Sequence, residues 1–344
     1  MISHTGLKAG LAQRFQAILN IVQNGGEIAT DLIETRCQRG AEIARRMRFS
    51  DEVARGIREL DEHWDGRGKP AGLKGADISV HARIALLAQV VDVFHTSGGP
   101  AAVFREVRAR SGAWFDPGLV LAFERAAVQP GFWTTLAGGD LEAALFVLAP
   151  AQHEAGVDEE YLDDIAAAFA GVVDAKSPYT NGHSERVAAY ADLIAGELGL
   201  APERRRWLKR AALLHDIGKL GVSNQILDKP GKLDEAEWAA MRRHSALSEA
   251  VLSRVGALRD MARVVGAHHE RLDGRGYPHG LAGDEIALET RIITTADVYD
   301  ALTAERPYRA ALPLAKVHAI MAGDVGPALD GTCFEALLRV VGKE

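Results

Sequence analysis

The sequence has little cysteine and no long apolar run. Its two cysteines, Cys37 and Cys333, lie in opposite halves of the 344 residues and form no CxxC pair, which argues against a disulfide scaffold and suits a reducing compartment. No apolar stretch has the length of a membrane span, and the first residues lack the apolar core of a secretion signal. We therefore expect a soluble, cytoplasmic protein with no membrane partner.

An excess of positive charge is also missing. Forty Lys and Arg residues face 47 Asp and Glu residues, for a formal net charge of −7. Duplex nucleic acid needs a basic surface, so this balance argues against such a partner. A bound phosphate would have to be held locally, by metal ions and a few cations. With 47% hydrophobic residues over 344 positions, the chain is long enough for two domains.

Strand-like alternation is a third absence, whereas helical spacing is frequent. Val187, Ala191, Ile194 and Leu198 fall on one face of a helix. A second helix is expected to stop at Gly218, and Asp234 followed by Glu237 is a typical start of a third. Further helices are expected to end near His269 and to carry Asp297. These patterns predict an all-α fold.

Histidines and aspartates recur in the second half in an ordered series. Two adjacent imidazoles precede a tight Gly/Pro loop, and similar residues come from several helices on either side. Imidazole and carboxylate groups that converge from different helices are typical of a metal centre. In chain order the series is His215-Asp216-Ile217-Gly218-Lys219, His244, His268-His269-Glu270, Asp273-Gly274-Arg275-Gly276-Tyr277-Pro278 and Asp297.

Over roughly residues 170 to 312, this series resembles the HD-GYP family of metal-dependent cyclic di-GMP phosphodiesterases. The complete HHExxDGxGYP pattern distinguishes it from ordinary HD hydrolases. The resemblance implies an HD-type helical bundle that hydrolyses cyclic di-GMP to linear pGpG, with continuation to GMP left open. Two alternatives stay open: hydrolysis of another cyclic dinucleotide or a nucleotide, and a non-catalytic metal or nucleotide sensor.

The resemblance also implies a ligand set for two divalent metal ions, with Asp216 as the bridge between them. The donors favour iron or manganese over magnesium, and zinc stays open. Asp174 stands where many family members carry an acidic residue; it would hold a third metal or be an exposed, solvated carboxylate. The resemblance gives one ion to His183, His215 and Asp297, and the other to His244, His268 and His269.

Three further residues are candidates for substrate contact. Lys219 resembles the family lysine that contacts a substrate phosphate, and with Asp216 it is the predicted catalytic pair. Arg306 is a second candidate phosphate clamp, because arginine suits bidentate phosphate contact. Tyr277 would either stack on a guanine or pack within the protein.

An internal repeat changes the interpretation of the first half. Residues 65–92 align without a gap to residues 273–300, with 14 identities in 28 positions. The alignment puts Gln89 opposite Asp297 and Leu60-Asp61 opposite His268-His269, and Cys37 is expected where the second copy has His183. We therefore predict two tandem HD-type helical bundles: a degenerate, metal-free pseudo-domain over 1–150 and a catalytic domain over 158–344.

The sequence is compatible with more than one reading on three further points. A small separate site using His63 and Asp65 is the alternative to a chemically inactive first copy. The linker is expected within residues 150–158. A homodimer and a diguanylate cyclase-type signalling partner are both compatible with the sequence.

Overall fold

Helices are the regular elements of this protein. The computed structural model describes residues 26–138, 141–148, 157–177, 182–304 and 311–342, and within these ranges it contains helices and isolated bridges but no strand. The predicted all-α fold is confirmed. The chain divides into two compact units, Met1–Gly156 and Val157–Glu344. No helix in the described ranges is long and apolar enough to cross a membrane.

The first unit contains six described helices. Ser50 and Asp116 cap the second and fourth through their side chains, which accept hydrogen bonds from Val53 N and Gly118 N. The long third helix is interrupted at Gly99, whose φ of 68° is left-handed. The helices are α1 (Gly26–Arg46), α2 (Asp51–Arg58), α3 (Val80–Ala109), α4 (Pro117–Ala127), α5 (Phe132–Ala137) and α6 (Leu141–Leu148).

The second unit contains nine described helices around one apolar core. Val187, Ala191 and Ile194, three of the residues that the sequence placed on one helical face, are fully buried in it. The helices are α7 (Glu159–Asp174), α8 (His183–Glu197), α9 (Pro202–Leu214), α10 (Asn224–Leu227), α11 (Glu235–Ser253), α12 (Ala262–Gly266), α13 (Leu288–Thr303), α14 (Leu314–Asp324) and α15 (Gly331–Val341).

Two helix boundaries position the histidine series. Asp234 and Glu237 form a reciprocal capping box at the start of α11, as the sequence predicts. By contrast, α9 ends at Leu214, before the expected stop at Gly218, and residues Ile217–Gly221 form a short 3-10 turn. The turn passes so close to α11 that a Cβ on Gly218 would lie 1.9 Å from the carbonyl oxygen of His244. Close packing of the two backbones therefore fixes where the chain leaves the helix.

Candidate metal centre

Asp216 lies at the centre of the histidine series and faces it with both carboxylate oxygens. Its Oδ2 atom is 3.2 Å from His215 Nε2 and 3.6 Å from His183 Nε2. Its Oδ1 atom is 3.4 Å from His244 Nε2 and 3.9 Å from His268 Nε2. One carboxylate therefore separates two groups of imidazoles, as a bridging ligand would.

Asp297 and His269 complete the two groups. Asp297 Oδ1 lies 3.3 Å from His183 Nε2 and 4.0 Å from His215 Nε2. On the other side, donor atoms of His244, His268 and His269 all lie within 4.8 Å of one another. The structure thus brings together the seven side chains that the sequence analysis named as ligands.

Three of the imidazoles are oriented by hydrogen bonds to the backbone. The Nδ1 atoms of His215, His244 and His268 lie 2.7, 2.6 and 2.6 Å from carbonyl oxygens three residues earlier in the chain. An Nδ1–H that donates to a carbonyl leaves the Nε2 lone pair free to bind a cation. The carbonyls belong to Ala212, Met241 and Val265.

His183 is oriented by a carboxylate that the sequence analysis missed. Its Nδ1 atom lies 2.7 Å from Asp300 Oδ2, and Arg186 donates to both oxygens of Asp300 at 2.6 and 3.1 Å. Asp300 is 1% exposed, so its contact with His183 is shielded from water, whereas Arg186 reaches it from a partly exposed position. A sequence signal existed, because Asp300 follows Asp297 by three residues and falls on the same side of α13.

Burial and charge act differently on the two sides of the site. Burial holds the pKa of His268 well below its usual range and, on the same side, lowers the pKa of His269 to about 3. Burial would also lower the pKa of His183, but the adjacent carboxylates of Asp216 and Asp297 outweigh it and raise that pKa. His268 and His269 are therefore neutral, as metal binding requires, whereas His183 would release a proton on binding a metal ion.

Unpaired buried atoms in the donor set fit a site for metal ions. His215 Nε2 and Asp216 Oδ1 are buried and find no hydrogen-bond partner in the described part of the chain, and an unpaired buried polar atom costs free energy. Both atoms lie close to other donors of the cluster, since His215 Nε2 is 3.2 Å from Asp216 Oδ2 and Asp216 Oδ1 is 3.4 Å from His244 Nε2. Burial alone would raise the pKa of Asp216, but His215 and Lys219 hold it well below its usual range. An anionic bridge surrounded by imidazole lone pairs fits cations.

Lys219, the predicted phosphate contact, lies beside the metal centre. Its ammonium donates to Asp216 Oδ2 at 2.5 Å, so its charge lies at the bridge.

Asp174, the predicted ligand of a third metal ion, is buried. It is 6% exposed and accepts a hydrogen bond from Ser184 Oγ at 2.7 Å. The alternative of an exposed, solvated Asp174 is therefore wrong, because the side chain is buried beside the start of α8. Arg306 lies outside the described residues.

Tyr277 packs against the metal centre. Its ring centroid is 4.9 Å from that of His269, at an interplanar angle of 36°. Of the two roles that the sequence left open for this tyrosine, the structure favours packing within the protein over an open stacking surface for a base.

The first unit has different groups at the corresponding positions. Arg36 forms an ion pair with Asp61, the residue aligned with His269, and Cys37 Sγ lies 3.5 Å from the same carboxylate. Burial raises the pKa of the Cys37 thiol to about 11, which keeps it protonated at neutral pH. Among the described residues, the His/Cys/Asp/Glu clusters with metal-ligand spacing all lie in the second unit.

Comparison with known proteins agrees with this geometry. The HD domain family matches residues 7–117 and 168–333, which is consistent with the internal repeat. The "3'3'-cGAMP-specific phosphodiesterase 3" of Vibrio cholerae is 52% identical over 99% of this chain and 74% of its own length. The chain belongs to the HD domain family, as an HD-GYP-type phosphodiesterase.

Other relatives are named for cyclic di-GMP or for cyclic GMP-AMP. The cyclic di-GMP phosphodiesterase response regulator RpfG of Xanthomonas campestris pv. campestris is 39% identical over 53% of this chain and 48% of its own length. A crystal structure of a cyclic GMP-AMP-specific phosphodiesterase of V. cholerae matches with a TM-score of 0.63 and 50% identity, over 99% of this chain and 80% of that one. This HD-GYP protein therefore has relatives with two cyclic dinucleotide specificities.

Proposed function

We propose that the second unit hydrolyses a cyclic dinucleotide at a dinuclear metal centre. His183, His215 and Asp297 would hold one ion, His244, His268 and His269 the other, and Asp216 would bridge them. This proposal rests on the position of the Asp216 carboxylate between the two imidazole groups. Its Oδ2 atom lies 3.2 and 3.6 Å from the Nε2 atoms of one group, and its Oδ1 atom lies 3.4 and 3.9 Å from those of the other.

The donor chemistry supports iron or manganese. Five imidazoles and two carboxylates suit these ions better than magnesium, which prefers oxygen ligands and keeps its waters. When bound, a metal pair lowers the pKa of a coordinated water and neutralises charge on the phosphate oxygens. A third ion at Asp174 stays a prediction, and the Ser184 hydrogen bonds already give that carboxylate a role beside the start of α8.

The reaction is a substitution at phosphorus. The oxygen of water forms a bond to phosphorus, the bond from phosphorus to the 3′-oxygen breaks, and the released oxygen takes a proton. The product is a linear dinucleotide with a 5′-phosphate. The transferred group is already anionic, and Lys219, 18% exposed and paired with Asp216, would supply a positive charge beside it.

We infer that 3′3′-cGAMP is the preferred substrate and cyclic di-GMP the second candidate. We rank the two substrates by the similarity of the relatives named for them. The relative with 52% identity over nearly the whole chain is named for 3′3′-cGAMP, whereas RpfG, with 39% identity over 53% of the chain, is named for cyclic di-GMP. The sequence resemblance alone favoured cyclic di-GMP. Both nucleotides contain guanine and have the same phosphodiester linkage.

We propose that the first unit is an HD-type domain that binds no catalytic metal. An ion pair between Arg36 and Asp61 lies where the second unit has metal ligands, so a guanidinium neutralises the carboxylate there. A protonated Cys37 beside it is a poor ligand. This domain would then have a structural or regulatory role.

The test is a turnover assay on protein reconstituted separately with iron, manganese and zinc. The substrates are 3′3′-cGAMP, cyclic di-GMP, cyclic di-AMP and, as a diester without bases, bis(p-nitrophenyl) phosphate; chromatography identifies the products. We expect the highest kcat/KM with 3′3′-cGAMP and a linear dinucleotide as the first product. Hydrolysis of the base-free diester with none of the cyclic dinucleotides would overturn the proposed substrate class.

A further inference from the structure

A series of side chains leads from the metal centre to the protein surface. The Tyr277 ring lies against His269, a candidate metal ligand, with ring centroids 4.9 Å apart. The guanidinium carbon of Arg242 lies 5.6 Å from the centroid of the Tyr277 ring and 5.8 Å from that of Trp238. Arg242 therefore links a ring beside the metal centre to an indole that is 46% exposed.

Helix α11 fixes this arrangement relative to the metal centre. Trp238 and Arg242 are four residues apart, so they lie one turn from each other on the same face. His244, two residues after Arg242, is a candidate ligand of one metal ion. The same rigid element thus positions a metal ligand and an exposed cation with an aromatic neighbour.

Among the described residues Arg242 has no acidic partner, unlike several arginines of the same unit. Arg205 donates to both oxygens of Asp192 at 2.9 Å, and Arg210 is paired with Glu159 at 2.6 Å. Within the described ranges, the only interactions of Arg242 are those with the two rings. Its planar set of N–H donors is therefore available to a ligand.

We propose that Arg242 and Trp238 recognise the guanine base of the substrate, an inference that rests on the proposed function. Guanine presents two acceptors, O6 and N7, on one edge, and an arginine fork can donate to both; adenine has an N–H donor in place of O6. The exposed Trp238 face would stack on a base. Because the Tyr277 ring is already packed on His269, we place the base-binding surface at Arg242 and Trp238, on the side of Tyr277 that is further from the metal ions.

The position of Arg242 favours a base over a phosphate as its partner. The scissile phosphate belongs at the metal centre beside Lys219, whereas Arg242 is separated from that centre by the Tyr277 and His269 rings. In a nucleotide the base is joined to the phosphate through a ribose, so it must lie at a distance from the metal ions. Both candidate substrates contain a guanine that could reach this surface.

The test compares Arg242→Ala and Arg242→Lys with Arg243→Ala, a matched control at the next, exposed position of α11. Steady-state kinetics with 3′3′-cGAMP and cyclic di-GMP would be measured beside hydrolysis of bis(p-nitrophenyl) phosphate and beside metal content. Cyclic di-AMP would be added as an inhibitor of the base-free reaction. Trp238→Ala and Trp238→Phe test the stacking surface in the same assays.

For Arg242→Ala we expect a fall of roughly tenfold to a hundredfold in kcat/KM for both guanine nucleotides, mainly through KM. Hydrolysis of bis(p-nitrophenyl) phosphate, inhibition by cyclic di-AMP and metal content should not change. Lysine should fail to restore activity because it lacks the planar fork. Trp238→Ala should lower kcat/KM by about tenfold or more, and phenylalanine should retain most of it.

Two results would overturn the inference. Unchanged kinetics in Arg242→Ala would show that the arginine only covers Tyr277. Equal losses with every substrate, including the base-free diester, together with rescue by lysine, would assign Arg242 to phosphate instead. Wild-type protein without activity on any cyclic dinucleotide would refute the proposed function, which is a separate outcome from either.

Discussion

Gly218 offers a direct test of how the fold supports the metal centre. The residue lies in the 3-10 turn that follows Asp216, and an added Cβ would meet the His244 carbonyl oxygen at 1.9 Å and Ser248 N at 2.6 Å. Both atoms belong to the α11 backbone, so no side chain can rotate away. Gly218→Ala therefore requires the turn and α11 to separate.

The size of the separation can be worked out from this contact. Real Cβ atoms essentially never approach closer than 3.0 Å, so the contact must lengthen by more than 1 Å. Overpacking of this kind costs about 1–3 kcal/mol, and sometimes more. Metal–ligand distances tolerate only about 0.2 Å of variation. A movement of that size between Asp216 and His244 should therefore damage metal binding as well as stability.

The assay pairs urea unfolding with metal analysis of the purified protein. Gly218→Ala should lower the free energy of unfolding by about 2 kcal/mol or more and reduce bound metal. Gly323→Ala is the matched control: it lies in α14 with no atom within 4 Å of its added Cβ, and alanine there should be neutral or stabilising by up to about 1 kcal/mol. Wild-type stability and full metal content in Gly218→Ala would refute the close-packing argument.

Three other substitutions test the roles of individual groups. Asp216→Ala should reduce bound metal and abolish hydrolysis while circular dichroism shows the helical content retained; full metal occupancy with normal turnover would exclude a bridging role. Asp300→Asn should weaken metal affinity about 10- to 100-fold, measured by chelator competition, because His183 loses its anionic partner; an unchanged affinity would make the contact incidental. Lys219→Ala should lower kcat/KM about ten- to a hundredfold at unchanged metal content, and unaltered kinetics would remove Lys219 from the phosphate contact.

The helices could be predicted from the sequence because their signals are local or repeat at fixed spacing, and the clustering of the histidine series was expected from the resemblance to a known family. The capping pair Asp234 and Glu237 is a short-range pattern, and the structure reproduces it. Asp300 was missed because its partner His183 is 117 residues away. The early end of α9 was missed for a related reason, since it depends on contact between Gly218 and a helix that follows in the chain.

Arg242 illustrates the same limit for substrate recognition. Its contact with Trp238 follows from helical spacing, whereas its contact with Tyr277 joins α11 to a loop 35 residues later and depends on tertiary packing. From sequence alone, an exposed arginine whose neighbours are unknown would be interpreted as a solvated surface residue. The structure changes that interpretation by placing it beside a ring that touches the metal centre.

The two copies separate the residues that maintain the loop from those that perform chemistry. Glu62 accepts hydrogen bonds from the backbone N–H groups of residues 71, 72 and 73 at 2.6, 3.1 and 2.9 Å. Glu270 does the same for residues 279, 280 and 281 at 2.6, 3.1 and 3.0 Å. The same buried carboxylate thus holds the same loop in a unit with the histidine cluster and in one without it.

Close backbone packing of the loop is also common to both copies. A Cβ on Gly68 would lie 2.1 Å from His63 N, and one on Gly276 would lie 2.4 Å from Glu270 Cα, so both positions require glycine. The glutamate and the glycines of the HHExxDGxGYP pattern therefore follow from the geometry of the loop. What distinguishes the second unit is the cluster of imidazoles with Asp216 and Asp297, and it is on these residues that an assignment of activity within the family should depend.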